Sequence, residues 1–125
     1  MTDLLDQGAA AISSAIRAGK TSAREVAEAA IARVEAKNKA ITAIVDFDPA
    51  EARAGAHAVD GRRKQGFDGA ILGVPYPVKD TTWVQGRRVT NGSLLWKDFR
   101  PPRDAVAVER LKAAGGVFLG MTNTP

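Results

Sequence analysis

A chain of 125 residues is enough for one ordinary domain. With 45% hydrophobic and 26% charged residues it has the profile of a globular protein and not of a disordered one. No apolar run approaches the length of a membrane span, and the opening M-T-D-L-L-D-Q-G lacks the basic-then-apolar layout of a signal peptide. The absence of cysteine excludes disulfides and thiolate metal sites and fits a cytoplasmic location. The formal charge of +4 is spread along the chain. Its one dense basic run, Arg62, Arg63 and Lys64, falls at an expected helix end, where cations complement the dipole. Neither a nucleic-acid partner nor a membrane partner is expected. Homo-oligomerisation is left open.

Leu5, Gly8, Ala9, Ile12 and Ile16 recur at helical spacing and predict one amphipathic helix, closed by Gly19. Ser22 and Glu25 have the three-residue offset of a capping box, opening a second helix that ends near Asn38. The short β-branched stretch from Ile41 to Phe47 predicts a strand. Asp48, Pro49 and Glu51 then start a third helix reaching about Lys64. The only histidine, His57, lies on that helix with no second ligand near it in sequence, so no metal role is assigned.

The turn from Gln65 to Gly69 delivers the chain into I-L-G-V-P-Y-P-V-K-D, residues 71–80. Lys79 stands where the strand is still expected to be buried. A buried ammonium either finds a counter-charge or loses its proton, which is how a lysine becomes a base. The alternative is a lysine at the exposed end of a strand, paired loosely with Asp80. Pro75 and Pro77 argue for an edge or a broken strand. The segment beyond turns at Gly86 and at Asn91-Gly92, and Trp83, Leu94, Leu95 and Trp96 are expected to act as an apolar cover.

Asp104 is expected to cap a last helix, A-V-A-V-E-R-L-K-A-A, with Ala107, Leu111 and Ala114 on one face and Gly115-Gly116 ending it. Val117 to Met121 predicts another apolar strand. Strand, helix, strand with glycine punctuation implies an α/β fold with parallel pairing. A buried final strand needs neighbours on both edges and cover on both faces. With no downstream helix to supply that cover, the chain is expected to stop inside a domain. Neither G-x-G-x-x-G nor the phosphate-loop pattern occurs, so no nucleotide cofactor is expected.

G-V-P-Y-P-V-K-D, then T-N-G-S, then A-V-A-V-E-R-L-K-A-A-G-G-V-F-L-G-M-T-N-T-P together resemble the N-terminal part of the amidase signature family. The match is strong over residues 71–125 and weaker over the preceding helices. The resemblance implies an α/β fold with a mixed sheet covered by helices. Residues 1–125 would be the N-terminal portion of a single amidase domain, helical over 1–38 and α/β over 39–125. It also implies amide hydrolysis by a Ser–cis-Ser–Lys triad in which Lys79 is the catalytic base, acting on a small-molecule amide without a cofactor. The serine-rich segment that supplies both triad serines has no counterpart among Ser13, Ser14, Ser22 and Ser93. The chain by itself is therefore expected to be inactive. Two other functions remain open: a glutamine-dependent transamidase subunit of the same family, and a non-catalytic interaction module whose lysine is only structural.

Overall fold

The computed structural model describes residues 2–125, with side chains from residue 4 onward. Met1, where the stretch read for a leader begins, lies outside the described residues. The first apolar stripe forms two helices and not one: α1 (Thr2–Asp6) and α2 (Ala9–Arg17). Gly8 separates them at φ 92°, a conformation that an L side chain rarely adopts and that no helix continues through. At the far end of α2, Gly19 N–H bonds the Ile16 carbonyl and Lys20 N–H bonds that of Ala15, closing the helix as a Schellman motif.

Helix α3 (Ala23–Ile41) opens on the predicted capping box, with Ser22 and Glu25 bonding reciprocally. The sequence does not announce a second device. The Asp60 carboxylate accepts from the N–H groups of Ala23 and Arg24 at 2.9 and 3.0 Å, so the fourth helix caps the third. Helix α3 also outruns its predicted end. Thr42 in the left-handed region closes it, and the Asn38 amide bonds both N–H and C=O of Ile44 to turn the chain back. That leaves β1 (Ile44–Asp46) shorter than the strand expected over 41–47. Helix α4 (Pro49–Lys64) starts as predicted, with Asp48 as N-cap and Pro49 in the first turn.

Strands β2 (Pro75–Lys79) and β3 (Val117–Thr122) are parallel, and β1 pairs antiparallel with β3, giving the mixed order β1-β3-β2. Helix α5 (Val106–Ala113) makes the crossover between β2 and β3. Asp104 does not cap it. The Asp104 carboxylate instead accepts from Gln85 N–H and from Lys112 Nζ, both at 2.7 Å, tying the preceding loop to the helix's last turn. The buried face of α5 is Val108 with half-buried Leu111, whereas Ala107 is exposed.

The final strand is covered after all. β3 is the centre of the sheet, and its residues alternate between two layers. Val117 and Leu119 pack with Ala52, Ala56 and Val59 of α4 and with Ile31 and Ala30 of α3. Phe118 and Met121 pack with Tyr76, Val78, Val84, Val89 and Val108 on the α5 side. The elements that cover β3 here all precede it in sequence. The predicted apolar cover, in contrast, covers little: Leu94 is 88% and Leu95 83% exposed on a short 3₁₀ turn, Leu94–Trp96. Only the rings of Trp83 and Trp96 find a neighbour, each 5.7 Å from Phe99.

In the α5-side layer the Tyr76 hydroxyl is buried without a hydrogen-bond partner. Burial, with a smaller contribution from the Asp104 charge, pushes its pKa up from 10.0 to about 12. The unfolded chain releases that proton first. Stability that is present below the unfolded value is therefore lost as pH rises through the folded one. Tyr76→Phe is expected to gain up to about 1 kcal/mol at neutral pH, because an unpaired buried donor is removed. It should also be spared the alkaline loss between pH 10 and about 12. Urea denaturation of both proteins at neutral and at alkaline pH checks this; a clear loss of stability in Tyr76→Phe at neutral pH would show that the hydroxyl has a partner.

Candidate active site

Lys79 is the last residue of β2, opposite Thr122 of the parallel β3. The carboxyl ends of parallel strands are where open α/β sheets place their ligands. The Val74 carbonyl and the Asp80 N–H both face β3, with bonds to Val117 N–H at 2.8 Å and to the Thr122 carbonyl at 3.0 Å. By the strand's period of two, residues 75, 77 and 79 present their backbone groups to the outer edge. Pro75 and Pro77 thus occupy the edge positions where no ladder donor is needed, which is why two prolines leave the strand intact. The irregularity in the ladder falls on β3, where Tyr76 pairs with Phe118 and Pro77 with Gly120, skipping Leu119.

The same alternation corrects the expected burial of Lys79. Tyr76, Val78 and Asp80 are buried, while Pro77 and Lys79 are exposed on the opposite face. That face of the sheet is covered over β3, and β2 lies at its edge. Lys79 Nζ has no hydrogen bond or ion pair among the described residues, and Asp80 does not neutralise it. Asp80 turns the other way, 6% exposed, and its carboxylate accepts from Thr90 N–H at 2.8 Å and from the Thr90 hydroxyl. Its main chain is held as well, by the Thr122 carbonyl on one side and by Asn91 N–H at 2.9 Å on the other. Thr82 N–H closes the turn onto the Lys79 carbonyl at 2.9 Å.

Sequence reasoning did not pick out Thr90 or the anchoring of Asp80. The available signal was the pair Lys79-Asp80 itself: adjacent residues of a strand face opposite ways, so one of the two had to turn inward. A cavity of about 220 Å³ lies on the Asp80 side, lined by Asp46, Arg88, Thr90, Lys97 and Asn123 among others. An apolar groove of about 470 Å³ lies by the opposite end of β2, at Val74 and Pro75, against Leu5, Ile12 and Val34. Pro75 is roughly 13 Å along the strand from Lys79, at about 3.3 Å per residue.

The serines are otherwise engaged or misplaced. Ser22 and Ser93 hydroxyls accept from the N–H groups of Glu25 and Leu95 as caps, at 3.1 and 3.2 Å. Ser13 is buried in α2, and Ser14 is exposed on the same helix. His57 is exposed on α4. Among the described residues no group of three or more His, Cys, Asp or Glu could hold a metal ion, and no helix is long and apolar enough to cross a membrane.

Comparison with known proteins gives this arrangement a context. The family model described as Amidase matches residues 25–125. A glutamyl-tRNA(Gln) amidotransferase subunit of Salinispora arenicola is 40% identical over 124 residues, covering 98% of this chain and 25% of that protein. Among solved structures, a bacterial aryl acylamidase superposes with a TM-score of 0.86 at 30% identity, covering 94% of this chain and 25% of that one. The peptide amidase of Stenotrophomonas maltophilia superposes with a TM-score of 0.89 at 28% identity, covering 98% and 26%. The chain spans about a quarter of the length of these relatives. With the family model matching most of its residues and the α/β topology matching the N-terminal part of the fold, the chain belongs to the amidase signature family.

Proposed function

We propose that this chain is the lysine-bearing N-terminal portion of a single amidase domain that cleaves the C–N bond of linear amides, with Lys79 as its general base. The observation that carries this reading is the exposed side chain of Lys79, with no hydrogen bond or ion pair among the described residues, at the carboxyl end of a parallel strand and on a face that the chain's own helices leave open. A serine hydroxyl is a weak nucleophile until a neighbouring base takes its proton, and a Ser-Lys arrangement meets that need. In the proposed cycle the Lys79 amine accepts a proton relayed by a bridging serine. The nucleophilic serine attacks the amide carbonyl, and the returned proton leaves with the amine. Water then releases the carboxylic acid from the acyl-enzyme. Both serines would come from polypeptide beyond these residues, since the serines described above serve as caps or sit on α2. A cytoplasmic, cofactor-free enzyme acting on a small amide is part of the same proposal.

The likeness to a component of an amidotransferase favours a second reading, in which the same triad releases ammonia from glutamine for a partner protein. Ammonia release from L-glutamine, set against p-nitroaniline release from p-nitroacetanilide by the longer polypeptide, separates the two. The purified 125-residue chain is expected to turn over neither compound. Hydrolysis by that chain, abolished in Lys79→Ala, would overturn the division of the triad.

A further inference from the structure

We propose that Asp80 and Thr90 are positioning residues for Lys79, forming a clamp that fixes the end of β2 so that the lysine amine is presented in one place. The inference rests on the proposed role of Lys79 as base. It starts from the inward turn of Asp80, one of two buried polar side chains among the described residues. A buried carboxylate must be hydrogen-bonded, and a counter-ion is the commonest solution. Arg88 and Lys97 line the adjoining cavity, yet neither forms an ion pair with it. Its partners are instead the main-chain N–H and the hydroxyl of a single residue, Thr90.

Three segments converge on this point. The Asp80 N–H holds the end of β3 at the Thr122 carbonyl, and the Asp80 carbonyl receives Asn91 N–H. The Thr90 hydroxyl donates to Asp80 and accepts Gly92 N–H at 3.1 Å. Asn91 and Gly92 both have positive φ, 52° and 69°, so the T-N-G turn folds tightly back. A Cβ at Gly92 would lie 2.4 Å from Thr124 Oγ1, so the missing side chain is what lets the turn lie against the residues after β3. The turn is therefore gripped between the ends of β2 and β3. Lys79 is the residue immediately before the gripped one, and its own side chain makes no hydrogen bond or ion pair among the described residues that could orient it. Its placement is delegated to its neighbour's backbone. A general base works only within hydrogen-bond reach of the proton it takes, so the clamp would be read in kcat and not in substrate binding.

The test is steady-state kinetics on the longer amidase that contains this chain, with p-nitroacetanilide and L-glutamine as probes and thermal melts confirming that each variant is folded at the assay temperature. Thr90→Val, which removes the hydroxyl and keeps the shape, is expected to lower kcat by about 10–100-fold with KM changed by less than about twofold. Thr90→Ser keeps the donor and should restore kcat to near the wild-type value. Asp80→Asn keeps an acceptor for Thr90 N–H and should fall between the two. A Thr90→Val enzyme with wild-type kcat, alongside an inactive Lys79→Ala enzyme, would overturn the clamp and leave the base in place. Thr90→Ser as slow as Thr90→Val would also overturn it, because the hydroxyl donor would then be irrelevant. If Lys79→Ala itself kept its rate, the underlying role of Lys79 would fall first, and the clamp with it.

Discussion

On the proposed mechanism, Lys79→Ala in a longer polypeptide carrying this chain is expected to lower kcat by about 10²–10⁴-fold, the range a positioned general base contributes. Stability should barely move, within about 0.5 kcal/mol, since the side chain is exposed and makes no bond among the described residues. This separation of rate from stability is the signature to look for. A lysine that merely ended a strand would change neither quantity, and a lysine buried in an ion pair would change both. Lys79→Arg should not rescue the rate. A guanidinium stays protonated at any pH the protein survives, so it cannot accept the serine proton. Single-turnover assays with p-nitroacetanilide, together with thermal melts of the 125-residue chain, give both readouts. A near-normal rate in Lys79→Ala would remove the base from the proposed mechanism.

The largest effect on stability is expected from Gly69→Ala. A Cβ built on Gly69 lies 2.0 Å from the Ala114 carbonyl oxygen and 2.5 Å from its carbon, with Phe67 Cζ at 2.8 Å. The obstruction is backbone and cannot swing aside. It is also committed, because the same Ala114 oxygen accepts Ile71 N–H at 3.1 Å. Gly73 N–H bonds the Gly115 carbonyl at 2.9 Å, and Arg17 reaches over to the Gly69 carbonyl at 2.8 Å. Relieving the clash would part the entry of β2 from the end of α5. The expected cost is about 3 kcal/mol. For a chain of this size that is a fall in Tm on the order of 10 °C. Gly61→Ala is the matched control. It sits within α4 with nothing within 4 Å of the added carbon, and replacing a helical glycine should stabilise by up to about 1 kcal/mol. Equal melting temperatures for the two variants would show that close approach at Gly69 does not matter.

Local chemistry was readable along the chain. The capping box at Ser22, the Asp48-Pro49 helix start and the closure at Gly19 each depend on residues within a few positions of one another, and each is found in the structure. So was the family, because several motifs keep their order and spacing over residues 71–125. Errors fell where a distant partner decides. Asp104 has the sequence context of an N-cap, but Lys112 and Gln85 take its carboxylate. One further error was local: the apolar stripe became two helices at Gly8, where the positive φ outweighs the periodicity. Leu94 and Leu95 have hydrophobic composition but stay largely exposed among the described residues.

By itself the sequence determined the starts of α3 and α4, the parallel crossover from β2 to β3, and a lysine at the end of the strand that a family-specific motif marks. Only the tertiary structure decided which way that lysine faces. Burial on a strand depends on which face receives a covering layer, and that layer here comes from helices far earlier in the chain, centred on β3 and not on β2. The strand's alternation fixes Lys79 and Asp80 on opposite faces. Their exposure, outward for one and inward for the other, is a property of the assembled sheet.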